Sequence, residues 1–365
     1  MKPLEIALRR MRNSRLTGER FTRPDEAVRW HLAMQAQEYG PAKWSIGQRS
    51  TGLVDADLDE ALAAGSIVRT HVLRPTWHFI ARDDVRWLLA LSGPRVQQGN
   101  AGRYRDLGLD ARARARAEKL IVSRLSGGNR LTRNEIGDFL DASKFDRSGQ
   151  RMPYILMHCE LEAVICSGGL SGKQQTYALL DERVPKGGRF DRDDALVELT
   201  RRYLGSHGPA TLKDMSWWSG FTMADVRKGL DLLGAGVRSE TVDGIVVWSI
   251  AADDAPPTPT RGAHLLQTYD ELVVGYTESR FFRDPRSARA SAAWSVASGT
   301  PPSGGVLLNG RIGGHWRRTI ERNLVRMELH LYEEPKRADA RALDAAASDL
   351  GRFLGREVDM ETRLL

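Results

Sequence analysis

At 365 residues the chain is too long for one small core and should divide into two to four compact units, and its 41% hydrophobic and 28% charged residues exclude a disordered chain. No run approaches the roughly 18 to 20 apolar residues of a membrane span, and Met1-Lys2-Pro3-Leu4-Glu5 lacks the apolar stretch of a signal peptide, so a cytoplasmic protein is expected. The net charge of +7 favours a polyanionic partner, while the only two cysteines, Cys159 and Cys166, exclude a disulfide framework and a four-thiolate zinc site.

Three stretches share one order of elements: helix, short turn, helix, then two strands joined by a tight connection, which is the order of a winged helix. In the first (1–105), Pro24 and Asp25 open a helix expected to run to Gln37, with Ala27, Val28, Leu32 and Ala36 as its apolar face and Gly40-Pro41 as its stop. A further helix closes at Ala64-Gly65, and a hairpin joins Ile67 to Leu73 with Thr76 to Ile80 around Arg74-Pro75, where proline bends the wing. In the second (106–188), a helix from Ala111 to Leu125 precedes Leu131 to Leu140, whose Thr132 and Glu135 make a capping-box pattern. A helix near Met152 to Cys159 and a wing of Glu162 to Ser167 and Gln175 to Leu180 complete it.

The third (189–252) is the clearest. Ala195 to Leu204 is an amphipathic helix, Thr211 caps a second, and Thr222 with Asp225 caps a third that carries Val226, Leu230 and Leu233 at helical spacing. Asp243-Gly244 then joins strands over Val237 to Val242 and Ile245 to Ile250. Asp253 to Pro259 reads as a stiff polar linker. Beyond it (260–365), His264 to Tyr276, Gly305 to Trp316 folding at Asn309-Gly310, and Leu324 to Tyr332 read as strands, and a helix from Asp339 to Leu354 closes the chain. The expected fold is α+β: three tandem winged-helix domains and a C-terminal β-rich, barrel-like domain.

Gln35 and Gln37 sit at the end of the first expected helix. Residues two apart on a helix point roughly 200° apart, so the pair converges on one ligand only if the helix opens near position 36 or 37. Each side-chain amide offers an acceptor oxygen and two donor hydrogens and can orient a water, but is a poor general base. Such a pair suits a reaction whose leaving group is already good, where positioning and electrostatics lower the barrier. Hydrolysis of the N-glycosidic bond to a base made cationic by alkylation, such as an N7-alkylguanine, is of this kind. On spacing alone, Gln-x-Gln reads as a solvated helix end.

The flanking residues add to this. Met34-Gln35-Ala36-Gln37 through Gln48-Arg49, Val68 through Trp77-His78-Phe79-Ile80, His207-Gly208-Pro209 through Trp217-Trp218, Tyr269-Asp270-Glu271 through Tyr276, and Val306 through Asn309-Gly310 to Trp316 together resemble the winged-helix DNA glycosylases related to AlkZ, over nearly the whole chain. The resemblance implies a basic, C-shaped channel built by the three winged helices and the β-domain. It implies catalysis by a Gln-apolar-Gln motif, here Gln35, Ala36 and Gln37, and monofunctional excision of alkylated purines from double-stranded DNA, bulky adducts and crosslinks included, by a water attacking the deoxyribose C1′. Repair or self-resistance would be its setting. No cofactor or metal is expected, and the protein is expected to be monomeric. A sister branch carries Gln-x-Asp, whose carboxylate can act as a base; Gln37 sets this chain with the other branch, and Ala36 is smaller than the usual aliphatic residue. Lys43 is the only lysine near the motif, so Schiff-base lyase chemistry has no strong candidate.

Arg74, Trp77 and His78 lie on the first wing, where a cation and aromatic rings can meet a displaced base or a phosphate, though a packed His78 fits equally well. Lys43 and Arg49 are expected to hold the DNA backbone and Trp44 to enter the core. Arg112, Arg114 and Arg116 spread around their helix and are expected to be mostly solvated. Trp217 and Trp218 are expected to build a core, and Asp270-Glu271 to have a structural hydrogen-bonding role. The alternative from another class is a winged-helix transcriptional regulator, in which Gln35 and Gln37 have only structural work; the C-terminal domain offers such a dimer no heptads.

Overall fold

The computed structural model describes residues 2–187, 190–253, 262–284, 286 and 302–365. Its N-terminal part comprises α1 (Pro3–Asn13), α2 (Pro24–His31), β1 (Ala33–Gln35), α3 (Tyr39–Gly47), α4 (Asp55–Ala64) and the hairpin β2 (Ile67–Val72) and β3 (Arg74–Ala81). The strands pair in the order β1-β3-β2. This corrects the single helix expected from Pro24 to Gln37. α2 stops at His31 because Leu32 takes φ 68°, in the left-handed region, and the chain turns into a strand. Leu32, Ala33, Met34 and Ala36 are all shut off from solvent, so their backbone amides need partners. Pairing of Ala33, Met34 and Gln35 with Ile80, Phe79 and His78 supplies them. Gly40 and Pro41, expected to stop a helix, instead lie in the first turn of α3, where a missing proline N–H costs no helical hydrogen bond. The turn expected at Arg74-Pro75 is corrected: both residues belong to β3, the turn is at Leu73 with φ 60°, and the irregularity is a register shift between His71 and Val72.

The helix α5 (Val85–Asp106), 22 residues long, leads away from this group. Gly93 within it passes so near Leu161 that an added Cβ would stand 2.8 Å from the Leu161 carbonyl oxygen. There follow α6 (Ala111–Leu125), β4 (Leu131–Thr132), α7 (Arg133–Ala142), α8 (Arg151–Leu161), β5 (Ile165–Ser171), β6 (Gln174–Leu179) and α9 (Leu180–Arg183). The expected capping box forms, with Thr132 N donating to Glu135 Oε2 at 2.7 Å and Glu135 N to Thr132 Oγ1 at 3.3 Å. Next come α10 (Arg192–His207), α11 (Leu212–Ser219), α12 (Met223–Leu233), β7 (Val237–Val242) and β8 (Ile245–Ile250). Thr211 and Thr222 cap α11 and α12, and the β7–β8 turn places Asp243 at φ 48° and Gly244 at φ 77°.

The C-terminal part holds β9 (Ala263–Gln267), α13 (Glu271–Val274), β10 (Gly304–Leu308), β11 (Arg311–Ile320), β12 (Leu324–Leu331), α14 (Arg337–Leu354) and β13 (Glu357–Leu364). Three expectations are corrected here. The strand read over His264 to Tyr276 ends at Gln267, because Asp270 caps α13 by accepting the Leu272 N–H at 3.0 Å. The helix α14 does not close the chain; β13 follows and pairs in parallel with β12. The sheet is open, in the order β13-β12-β11-β10-β9, and is not a closed barrel. The expected linker lies outside the described residues beyond Asp253. Among the described residues no helix is long and apolar enough to cross a membrane.

Burial ties distant parts together. One apolar cluster joins Ala27, Met34 and Trp44 to Leu265, Trp316 and Leu350, so the first sheet and the C-terminal sheet share a core. A second joins Leu32 and Val72 to Tyr203, Trp218 and Tyr276. A third is confined to residues 104–179.

Candidate active site

The strand β1 changes the geometry of the two glutamines. Ala36 N still donates to Trp77 O at 2.7 Å, so the pairing with β3 continues one residue past Gln35. β1 ends at Gln35 and Gln37 lies in the bend just beyond it, so neither glutamine stands on a helix. Each carboxamide is oriented by a donor from β3: Arg74 Nη2 donates to Gln35 Oε1 at 2.8 Å, and Trp77 N to Gln37 Oε1 at 3.4 Å. Because both partners can only donate, the oxygens must face them. A second lone pair remains on each oxygen, and neither amide nitrogen has a protein acceptor among the described residues. Gln35 is 6% exposed, whereas Gln37 is half-buried.

Beneath Gln35 lies a buried carboxylate. Glu271, the first residue of α13, is 1% exposed and accepts three hydrogen bonds: from Gln35 N at 2.6 Å, from Trp218 Nε1 at 2.8 Å and from His207 Nε2 at 3.1 Å. Burial alone would raise its carboxyl, but the bonds from His207 and Gln35 and the nearby His207 charge outweigh it and hold the group ionised, down at about 2. His207 itself stacks on Tyr203, ring centroids 4.9 Å apart. The structural hydrogen-bonding role expected for Glu271 is the one observed; its contact with Gln35, 236 positions away, has no local signal in sequence.

On β2, Arg69 was not singled out by sequence reasoning. Its Nε donates to Ala36 O at 2.9 Å and its Nη2 to Gln37 O at 3.3 Å, so it fastens the backbone of the motif on the side opposite Glu271. Its guanidinium also lies 4.4 Å from the centre of the Trp77 ring, and burial lowers its affinity for its proton. In the sequence Val68-Arg69-Thr70-His71-Val72 nothing sets this arginine apart, and its partners lie more than 30 positions away. Trp77 is half-buried, stacks on His71 with centroids 4.4 Å apart, and donates through Nε1 to the buried Glu160 at 3.3 Å.

Several expected contacts are corrected. His78 is wholly buried, with Nδ1 against Thr76 O at 3.0 Å, and burial reinforced by Arg74 pushes its imidazole down to about 3; it cannot touch a phosphate. Lys43 is 4% exposed and its ammonium is held by Asp55 at 2.8 Å and Asp59 at 2.9 Å. Arg49 is wholly buried and bidentate on Asp270, both bonds 2.7 Å, with further bonds to Ser14 O and Ser45 O. Neither cation is available to DNA, because each is already neutralised inside the protein. Trp44 enters the core as expected, donating to Leu265 O at 2.8 Å. Trp218 is buried, but Trp217, expected beside it in a core, is 49% exposed. Arg112 and Arg116 are exposed and Arg114 half-buried on Leu109 O. Both cysteines are buried, and burial pushes their thiols up, Cys166 to about 12. Among the described residues no three His, Cys, Asp or Glu side chains gather as a metal ion would require.

The chain resembles known proteins along nearly its whole length. A curated relative from Streptomyces sahachiroi, an interstrand DNA cross-link repair glycosylase, is 23% identical over 338 residues, 88% of each sequence. The solved structure of the Streptomyces sahachiroi DNA glycosylase AlkZ superposes with a TM-score of 0.77 at 20% identity, covering all of both chains, and so shares the fold. The model of the AlkZ-like DNA glycosylases matches residues 28–353, from α2 to the end of α14, and the chain belongs to that family.

Proposed function

We propose that the protein hydrolyses the N-glycosidic bond of cationic alkylated purines, N7-alkylguanine and N3-alkyladenine among them, in duplex DNA. Three winged-helix domains (1–105, 106–188 and 189–252) and the C-terminal domain (260–365) would line a basic concave channel, with Gln35 and Gln37 as the catalytic pair and Arg74 and Trp77 as contacts to DNA. The observation that carries this reading is that each of the two glutamines has its side-chain oxygen held by a donor from β3.

Two such amides match the chemistry. When an alkylated purine departs, the C1′–N9 electron pair moves onto the base and cancels its positive charge, so no acid catalyst is needed. Positive charge grows on the sugar ring instead, and water adds to C1′. A glutamine oxygen with one lone pair left can accept an O–H from that water and hold it in line, while the proton leaves to bulk water because a carboxamide is no base. An unmodified purine would depart as an anion, which nothing at this site assists. The name of the curated relative supports extending the range to bulky adducts and crosslinks. Family membership disfavours the regulator alternative, whose glutamines would have no chemistry.

The test is a single-turnover assay on duplex carrying one N7-methylguanine, with alkaline heating to reveal abasic sites. Wild type is expected to give strand breaks, and Gln37→Ala to be slower by about 100-fold or more with DNA binding retained. Gln35→Ala should lose at least as much, since it also strips Arg74 of its acceptor. A wild-type protein that leaves every alkylpurine intact refutes the proposal.

A further inference from the structure

Trp217 is out of place as a surface residue. Half of a large indole faces solvent, while its neighbour Trp218 is fully buried on Glu271, the carboxylate that holds Gln35 N. Single exposed apolar side chains are ordinary on protein surfaces. This one is unusual in being held rigidly beside the glutamines. Its Nε1 donates to Val274 O at 3.2 Å, and the guanidinium of Arg74 lies 5.8 Å from its ring centre, the same Arg74 that donates to Gln35 Oε1 at 2.8 Å.

The helix that carries Trp217 is pinned at both ends. At its start, the Asp214 side chain accepts the backbone N–H groups of Thr277 and Glu278, each at 2.8 Å. At its end, Gly220 takes φ 74° and lies so close to the β2–β3 turn that a Cβ would stand 2.7 Å from Leu73 O and 3.3 Å from Arg74 Cγ. Arg95 also donates to Gly220 O. The helix is thus keyed to the residue next to Arg74, and Trp217 has little freedom to swing away.

We infer that Trp217 is a stacking platform for the lesion and determines specificity for alkylpurines whose added group is planar and aromatic. This rests on the glycosylase reading. An exposed π-face offers a cationic purine both stacking and cation–π attraction, and a planar polycyclic adduct extends the stacked area in a way that a methyl group cannot. Arg74, whose guanidinium lies over the indole at 5.8 Å from its centre, would keep the stacked lesion beside Gln35.

The test compares wild type, Trp217→Ala and Trp217→Phe on two duplexes, one with N7-methylguanine and one with an N7-guanine adduct bearing a planar polycycle. The readout is the ratio of kcat/KM for the polycyclic lesion to that for the methyl lesion, which a general loss of folding leaves unchanged. The ratio is expected to fall about tenfold or more in Trp217→Ala and to return to within about threefold of wild type in Trp217→Phe. A ratio in Trp217→Ala within about twofold of wild type overturns the inference, whatever the absolute rates. Kd values for the same duplexes built with a 2′-fluoro sugar, which resists hydrolysis, give the ratio independently of chemistry. If wild type excises neither lesion, the glycosylase reading fails; the platform then stands if the Kd ratio depends on Trp217 and falls if it does not.

Discussion

His31, at the end of α2, and His78, on β3, are completely enclosed, and burial drives both imidazoles down to about 3. Each keeps one ring nitrogen on a backbone carbonyl, Ala27 O and Thr76 O, while the other nitrogen has no partner among the described residues, so a second proton there would be buried without an acceptor. The consequence is a specific acid sensitivity. In the unfolded chain these histidines take up protons near pH 6.5, and in the folded chain they do not until about pH 3. Between those values the unfolded state binds more protons, so stability falls as the pH falls, by about 1.4 kcal/mol per pH unit for each histidine. Glu271, held at about 2, contributes in the same direction only below its ordinary value of 4.5, so the two effects separate. Urea midpoints should therefore stay nearly level from pH 7.5 to 6.5 and drop steadily from there to pH 5, less steeply in His78→Gln; His264, which burial pushes down to about 4, adds to the drop that remains. Midpoints that stay level over that range would show that these histidines are protonated in the folded protein.

Arg49 follows α3 and Asp270 caps α13, so their bidentate pair clamps two elements that are 221 positions apart. Ser45 Oγ and Gln48 Nε2 also donate to Asp270 Oδ2, at 2.9 and 3.0 Å. Removing one member of such a pair leaves a bare charge in the interior, which costs about 3 to 5 kcal/mol. Arg49→Ala should lose that much unfolding free energy in a denaturant titration while leaving the slope of log K against log salt for undamaged DNA unchanged, because Arg49 releases no counterion from phosphate. A shallower slope with unchanged stability would restore it as a DNA contact. This clamp also marks where sequence reading succeeds and fails. α6, the Thr132–Glu135 box, the Thr222 cap and the Asp243-Gly244 turn were legible because each is written in residues a few positions apart. β1 was not, since Ala27, Val28, Leu32 and Ala36 keep helical spacing and only the distant partner strand β3 decides otherwise. Lys43 and Arg49 read as basic residues next to a catalytic motif, and nothing near them in sequence announces Asp55, Asp59 or Asp270 as their partners. The setting of Gln35 and Gln37 was equally hidden, since the donors that hold their side chains, Arg74 and Trp77, lie 39 and 40 positions further along the chain.

At the scale of the whole molecule, the C-terminal part is built into the candidate active site. The core around Met34 and Trp44 is completed by Leu265, Trp316 and Leu350, Trp44 Nε1 is satisfied by Leu265 O, Arg49 by Asp270, and the Gln35 amide by Glu271. A chain ending at Asp253 would keep all three helix-and-hairpin groups, yet it would expose one face of that core and leave Arg49 buried without its anion. Loss of Glu271 would further free the Gln35 N–H and the Trp218 and His207 side chains that now converge on it. Each orphaned polar group of this kind costs about 1 to 3 kcal/mol, more for a charge, and folded domains have only about 5 to 15 kcal/mol in hand. The truncated chain should therefore fail to unfold cooperatively and should bind a hydrophobic dye at neutral pH, while the group around residues 104–179, which has its own core, retains helical signal. Its excision of N7-methylguanine should be undetectable even where weak DNA binding survives. Cooperative unfolding and excision by the truncated chain would mean instead that Glu271 and the open sheet are dispensable, and that the strand ending at Gln35 is held by β3 alone.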